Sequence, residues 1–437
     1  MSENPTKNTI PSSSRRIGFL ETEWGLGGSC VFSARLANYL VRMRGHAIRG
    51  FSIRPLDSIG FLGGLVKFPI HLPPQASFRR RNILREMHAI IRQHPPDCLI
   101  FTVNNRNCDI ARHLPKHIIK IGVIHGVDEP LIVLAGAYSS SFDALVSVSR
   151  MGLEMLQNLP VQPACACHFI PPGIMMPDEP LNRNHNVERP LRLLYLGRLT
   201  EISKRARSIV SIAALLKNRG IPFIWSVAGD GPEAKFIEQS MRDLQIDEVR
   251  LLGTLPNQDT PALFASHDVI VSTSDKEAFP LALQEAMAYG MVPVAGSAPG
   301  RVAEVVTLAN GFLAHPDNPS QFADAIEKLH HDRNLLSRLS GQASEAIGNE
   351  LAWPRIACRW SSLLESLTQN CPPPTDWPTK PQILPNIHRM LPRPLTFVQD
   401  CAESALSMIE SCNRRRALHL KTISQKIMRC ISKRALL

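Results

Sequence analysis

The sequence predicts an α/β protein made of two doubly wound parallel-sheet domains in tandem, followed by a basic helical extension. Three observations lead there. Continuous apolar runs alternate with amphipathic helical segments along most of the chain, the pattern of parallel strands covered on both faces. Glycines stand where strands hand over to helices and the backbone must turn tightly. A polar stretch ending in proline, "NRNHNVERP" at residues 182–190, divides the series in two.

Residues 1–14 are polar and are expected to be disordered. "RRIGFLE" then reads as a short buried strand and "WGLGGS" as a glycine-rich turn. A helix follows, with Val31, Ala34, Leu36, Ala37, Leu40 and Val41 near helical spacing and Gly45 as its stop. A second helix carries Ile83, Leu84, Met87 and Ile90, and "DCLIFTVN", "IIKIGVIHG" and "DALVSVS" are successive buried strands. This gives a first domain over residues 15–181. Beyond the linker, "LRLLYLG", "FIWSVAG", "VRLLGT", "DVIVSTS" and "MVPVAG" are strands, each with a helix after it, and form a second domain over residues 191–352. "WPRIACRWSSLLESL" opens a final amphipathic helix at 353–370. Prolines make 371–394 a stiff extended linker. Residues 395–437 return to helical spacing, with Leu420, Ile423, Ile427 and Ile431 on one stripe.

Composition narrows the function classes. With 44% hydrophobic and 20% charged residues, the 437-residue chain is neither disordered throughout, nor collagen-like, nor a disulfide-stapled miniprotein. Its net charge of +11 is uneven: residues 1–180 carry 19 basic and 13 acidic side chains, 181–370 carry 19 and 21, and 371–437 carry 11 and 4. The basic flanks fit an anionic partner. Ten cysteines without a CxxC pair are expected to be reduced thiols of a cytosolic protein, and Cys165/Cys167 is a weak metal signal. No signal peptide or apolar span long enough to cross a membrane is read, so a cytoplasmic location is expected.

Chemistry concentrates in the second domain. In "LYLGRLTEISKRA" a strand runs into Gly197 and Arg198, with Lys204 six residues later. Two cations where a strand ends can point at one diphosphate; a solvated basic turn is the alternative. "SVAGDGPE" places Gly229 and Gly231 where a backbone either turns tightly or approaches a ligand. In "DVIVSTSDKEAFPLALQEAMAYG", Glu277 lies in a loop, Pro280 suits the first turn of a helix, and Glu285 lies inside that helix. From Pro280 to Glu285 the helix rises roughly 7.5 Å. Two carboxylates bracketing an anion-binding helix end fit a nucleotide sugar, and the alternative is a surface loop acid with a solvated helix position.

"GRLTEISKRA", "VAGDGPE", "LLGTL", "STSDKEAFPLALQEAMAYGMVPVAG" and "ANGFL", in this order, resemble the nucleotide-sugar half of retaining GT-B glycosyltransferases of family 4 (glycosyl transferases group 1). "WGLGGSCVFSARLANYLVRMRGHAI", "VIHGVD", "DALVSVS" and "FIPPGI" extend the resemblance over residues 15–370. It implies two Rossmann-like domains facing a central cleft. It also implies that Arg198 and Lys204 neutralise the diphosphate of a UDP- or GDP-sugar, that Glu285 binds the ribose, and that Glu277, with the backbone of Ala278 and Phe279, holds the transferred sugar. Gly27 and Gly28 then close over the donor, His125 approaches from the acceptor side, and Gly229, Gly231, Leu255 and Leu281 complete the donor site. No metal or other cofactor is implied, because Arg and Lys balance the charge. Attack is from the front face, helped by the leaving diphosphate, and the acceptor is a hydroxyl of a glycan or glycolipid in cell-envelope synthesis.

The chain departs from the pattern at Ala278, where the family usually has Gly, and in residues 371–437, which have no counterpart. His125 read alone is a satisfied core histidine, and Trp24 fits either ligand stacking or packing. A different GT-B reaction and a non-catalytic relative binding a sugar nucleotide or membrane partner are the competing functions. The tail, with eight basic and no acidic residues from Cys412 to Leu437, is expected to meet an anionic membrane surface or an acidic glycan acceptor rather than nucleic acid, and a solvated basic helix or a disordered end is the alternative.

Overall fold

The computed structural model describes residues 14–25, 27–56, 59–62, 64–73, 80–179, 181, 189–277, 279–297, 302–369, 371–375 and 377. All lie in one compact unit that ends at Pro381. Ala278, most of the 182–190 linker and the whole of the expected tail lie outside the described residues.

The first domain contains strands β1 (Arg16–Glu21), β2 (Ala47–Ser52), β3 (Ile70–His71), β4 (Cys98–Thr102), β5 (Ile119–Ile124), β6 (Ala144–Ser147) and β7 (Ala166–Phe169). Its helices are α1 (Gly28–Arg44), α2 (Arg80–Gln93), α3 (Asn105–Arg112), α4 (Glu129–Ala137) and α5 (Arg150–Gln157). The sheet order is β3-β2-β1-β4-β5-β6-β7, with every pair parallel. The second domain adds β8 (Leu191–Leu196), β9 (Phe223–Ala228), β10 (Val249–Gly253), β11 (Val269–Ser272), β12 (Val292–Gly296) and β13 (Phe312–Ala314) in the order β10-β9-β8-β11-β12-β13. It is covered by α6 (Ser208–Asn218), α7 (Ala234–Asp243), α8 (Thr260–Ser266), α9 (Leu281–Ala288), α10 (Val302–Val305), α11 (Pro319–His331) and α12 (Arg333–Leu351). A last helix, α13 (Trp353–Gln369), follows.

Sequence decides these elements locally. Along β8, Leu191, Leu193 and Tyr195 enter one core while Leu194 enters another, which is how a strand buried on both faces must alternate. Gly45 caps α1 with φ 64°, a left-handed turn that glycine adopts without steric cost. Four strands, β2, β3, β7 and β13, escape the sequence reading. β2 is broken by Arg49 and Gly50, and the other three are short strands toward the sheet edges, with few apolar residues to mark them. Val41, expected on the apolar face of α1, is 44% exposed, while Arg35 on the same helix is buried.

α13 returns to the first domain. Trp353 stacks on Tyr39 of α1 with ring centroids 5.0 Å apart, and Trp360 meets Phe32 at 6.0 Å. The two chain crossings between domains touch: the Ile174 amide donates to Leu351 O at 2.7 Å and the Trp353 amide to Ile174 O at 3.3 Å. Beyond α13, Thr375 N donates to His117 Nδ1 at 2.9 Å and Trp377 meets His88 edge-on, so this end of the proline-rich segment also lies on the first domain. Among the described residues no helix is long and apolar enough to cross a membrane.

Candidate active site

Doubly wound sheets open a crevice where strand order reverses, at the carboxyl ends of the strands. Here the reversals fall between β1 and β4 in one sheet and between β8 and β11 in the other. The loops leaving these strands carry Trp24, Gly27, Arg198, Lys204 and Glu277. They meet across the domains: a methyl group built on Gly28, the first residue of α1, would lie 3.9 Å from Leu281, the first residue of α9. Neither helix has a side-chain cap, since Gly27 and Pro280 precede them. Two sets of amides without side-chain caps and two positive dipole ends therefore lie near each other. Pro280 sits one residue before its helix rather than in the first turn.

The second-domain loops are strapped together. Thr273 Oγ1 donates to Lys204 O at 2.7 Å, Asp275 N donates to Ser203 O at 3.1 Å, and Arg205 Nε donates to Asp275 Oδ2 at 2.7 Å. Ser203 and Arg205, flanking Lys204, have φ of 67° and 47°. Non-glycine residues persist in this region only where their surroundings hold them, as at many functional sites. The strap fixes Lys204 so that its ammonium pairs with the Glu277 carboxylate. Both line one cleft with Tyr195, Ser274, Pro280 and Leu281. Burial and the nearby Glu277 carboxylate hold the Tyr195 phenol protonated, and its hydroxyl donates to Arg198 O at 3.0 Å. The Arg198 side chain is exposed.

Glu285 is 6% exposed and forms an ion pair with Arg35, which is 8% exposed and comes from α1 of the other domain. Arg35 Nη2 also lies 3.4 Å from Asn257 Oδ1. A second cross-domain pair joins Lys276, beside Glu277, to Asp128, three residues after His125, at 3.0 Å. His125 ends β5. Burial lowers its pKa to about 4, so it is neutral near pH 7; its Nε2 is buried without a hydrogen-bond partner among the described residues, and its ring meets Phe32 edge-on at 5.2 Å.

The remaining expected residues have plainer surroundings. A Cβ on Gly229 would lie 1.9 Å from Gly197 O, and one on Gly231 would lie 2.3 Å from Leu199 O. These glycines let the 229–231 turn press against the backbone of the Gly197–Leu199 turn, so the close approach they permit is to protein. Phe279 is 9% exposed, and Leu255 and Leu281 pack half-buried on the same core. Trp24 is fully buried and donates from Nε1 to Phe51 O at 3.0 Å, which assigns it to packing. Sequence reasoning missed Arg35, the strained pair around Lys204, and Glu21. A visible signal for Arg35 was a charged residue inside the Phe32, Leu36, Tyr39 helical stripe.

Residues 178–346, which hold Arg198, Lys204, Glu277 and Glu285, match the family model described as glycosyl transferases group 1. The second domain belongs to the glycosyl transferases group 1 family. His125, Gly27 and Gly28 lie outside the part matched by this group 1 model. N-acetyl-alpha-D-glucosaminyl L-malate synthase of Bacillus anthracis is 33% identical over 140 residues, 31% of this chain and 36% of that protein. Amylovoran biosynthesis glycosyltransferase AmsK of Erwinia amylovora is 29% identical over 148 residues, 32% of this chain and 36% of that protein. The chain spans about a third to a half of the length of the curated relatives it matches. The structure of Anabaena HepE in complex with UDP and glucose superposes with a TM-score of 0.66 at 16% identity, covering 80% of this chain and 100% of that one. The group 1 domain and the domain before it thus form a GT-B fold.

Proposed function

We propose that this chain is a retaining glycosyltransferase that moves a sugar from a nucleotide-diphosphate sugar to a hydroxyl of a glycan or glycolipid acceptor. The carrying observation is the meeting of two uncapped helix N-termini, α1 and α9, beside the Lys204/Glu277 pair. A diphosphate placed there takes amide hydrogen bonds from both domains and the charge of Lys204, with Arg198 reaching in from the rim. As Lys204 turns to phosphate, Glu277 is released to accept hydrogen bonds from sugar hydroxyls. Glu285 accepts from the ribose. His125, neutral and with a free Nε2, serves as a hydrogen-bonding group toward the sugar and not as a cation.

In this reading the anomeric carbon–phosphate oxygen bond breaks as the acceptor oxygen bonds the same face, and the acceptor proton passes to the departing diphosphate. Lysine, arginine and helix ends balance the charge, so no metal is needed. HepE, whose structure holds UDP and glucose, and AmsK, named for amylovoran biosynthesis, support a nucleotide donor and a role in polysaccharide or envelope synthesis. The basic segment 395–437 supports a peripheral site on an anionic membrane face in the cytoplasm.

The test is a panel of UDP- and GDP-sugars assayed for transfer and donor hydrolysis, with and without EDTA. Lys204→Ala and Glu277→Ala are expected to lower turnover at least about a hundredfold with an unchanged melting profile. Full turnover in either variant rejects the site, and activity abolished by EDTA rejects the metal-free charge balance.

A further inference from the structure

Arg205 holds a backbone conformation that a side chain disfavours. Its φ of 47° lies in the left-handed region, where a Cβ crowds the following carbonyl and glycine fits best. Its surroundings tie it there from both backbone and side chain. The amide donates to Glu201 O at 3.1 Å, and the carbonyl accepts from Ser208 N at 3.0 Å. The guanidinium meets two carboxylates: Nε donates to Asp275 Oδ2 at 2.7 Å, and Nη1 pairs with Asp317 Oδ1 at 2.5 Å. Asp275 lies two residues before Glu277 in the loop after β11, and Asp317 lies in the turn after β13. One side chain from the loop after β8 thus fastens the exits of three strands. A glycine at this position would reach the same φ without strain but would supply neither tie.

We infer that Arg205 is a positioning residue for the donor diphosphate: it sets the Lys204 loop against the Glu277 loop before the donor arrives, and it acts on the phosphates only through Lys204. This role rests on the nucleotide-diphosphate donor reading and deepens it. The two neighbouring cations have different duties. Arg205 has its charge balanced by two aspartates of its own domain, whereas Lys204 pairs with Glu277, a partner it can exchange for phosphate. A lysine on an unfastened loop would have to be ordered at the moment of binding, and the lost freedom would come out of the affinity for the diphosphate. The ion pairs themselves are partly exposed and add little to the stability of the fold. Substitution at Arg205 therefore separates donor binding from folding.

The experiment is calorimetric titration of the full chain with UDP and GDP and with UMP and GMP, using wild type, Arg205→Gly, Arg205→Lys, Asp317→Asn, Lys204→Ala and the Lys204→Ala/Arg205→Gly double variant. Wild type should bind the better diphosphate about tenfold or more tightly than its monophosphate. Arg205→Gly should weaken the diphosphate about tenfold and the monophosphate no more than about twofold, while melting within about 4 °C of wild type. Arg205→Lys, which keeps the charge but cannot span both aspartates with a planar fork, should fall between. On a Lys204→Ala background, Arg205→Gly should change diphosphate binding no more than about twofold further, because the group it positions is gone. If Arg205→Gly does not fold, Asp317→Asn, which leaves the loop backbone untouched, decides by the same ratio. An Arg205→Gly or Asp317→Asn protein with the full diphosphate preference overturns the Arg205 assignment alone. So does equal weakening of both nucleotides with a lowered melting temperature, or a full tenfold effect on the Lys204→Ala background. No binding of any of the four nucleotides by wild type rejects the donor reading and this inference with it.

Discussion

Glu21 closes β1 at the reversal point of the first sheet, 3% exposed, and both Ser33 Oγ, at 2.6 Å, and Thr102 Oγ1, at 2.8 Å, donate to its Oε1. Burial raises its carboxyl pKa from the ordinary value to about 7, and the two hydroxyls offset only part of that rise. The linkage has a definite sign. Between about pH 4.5 and 7 the folded chain keeps a proton that the unfolded chain releases, so stability falls as pH rises through this window. A shift of roughly 2.5 units corresponds to about 3 kcal/mol, fully expressed above pH 7 and absent below pH 4.5. Glu21→Gln keeps the shape and the acceptor for both hydroxyls but cannot ionise. The variant should gain about 3 kcal/mol on wild type between pH 4.5 and pH 8, read as the difference in urea stability followed by tryptophan fluorescence at half-unit steps. Other titrating groups cancel in that difference. A gap between the two proteins that stays constant within about 0.5 kcal/mol across the range refutes the buried, protonated carboxyl.

Three further outcomes test the architecture. Gly229→Ala should fail to fold or lose several kcal/mol, because its methyl group would meet Gly197 O at 1.9 Å; Gly341→Ala, in open space on α12, should gain up to about 1 kcal/mol in the same urea assay. Asp268 is fully buried, takes hydrogen bonds from Arg189 and Arg192, and is held well below the usual carboxylate range by those guanidinium groups, so Asp268→Asn should cost about 3–5 kcal/mol at pH 7, and the wild-type contribution should disappear only in strong acid. Trp353→Ala should cost about 3–5 kcal/mol and raise proteolysis around Ile174, since Trp353 fills the space beside Gly173 and stacks on Tyr39.

The strands that form the middle of each sheet were legible because burial on both faces writes an unbroken apolar run, as in "IIKIGVIHG" and "DVIVSTS". β3 and β13, with two and three residues, leave no such trace. Within the candidate site, Lys204 and Glu277 could be picked out because they stand in loops beyond strand ends, and Glu285 because it stands inside the helix that follows. That Lys204 would pair with Glu277, and Glu285 with a residue 250 positions earlier, depends on how two sheets face each other, and no local pattern encodes that. Gly229 and Gly231 show the converse: the need for glycine was visible, but whether ligand or backbone stood opposite was not.

The path of α13 has a mechanical consequence. Because the chain crosses from the first domain to the second near Ile174 and comes back at Leu351–Trp353, with the crossings hydrogen-bonded to each other, the halves are joined by a paired ribbon and not by a single thread. Two crossings held side by side restrict how the halves can move relative to each other more than a single crossing would. The same return path ties residues 378–437 covalently to the first domain, at Trp377 beside His88.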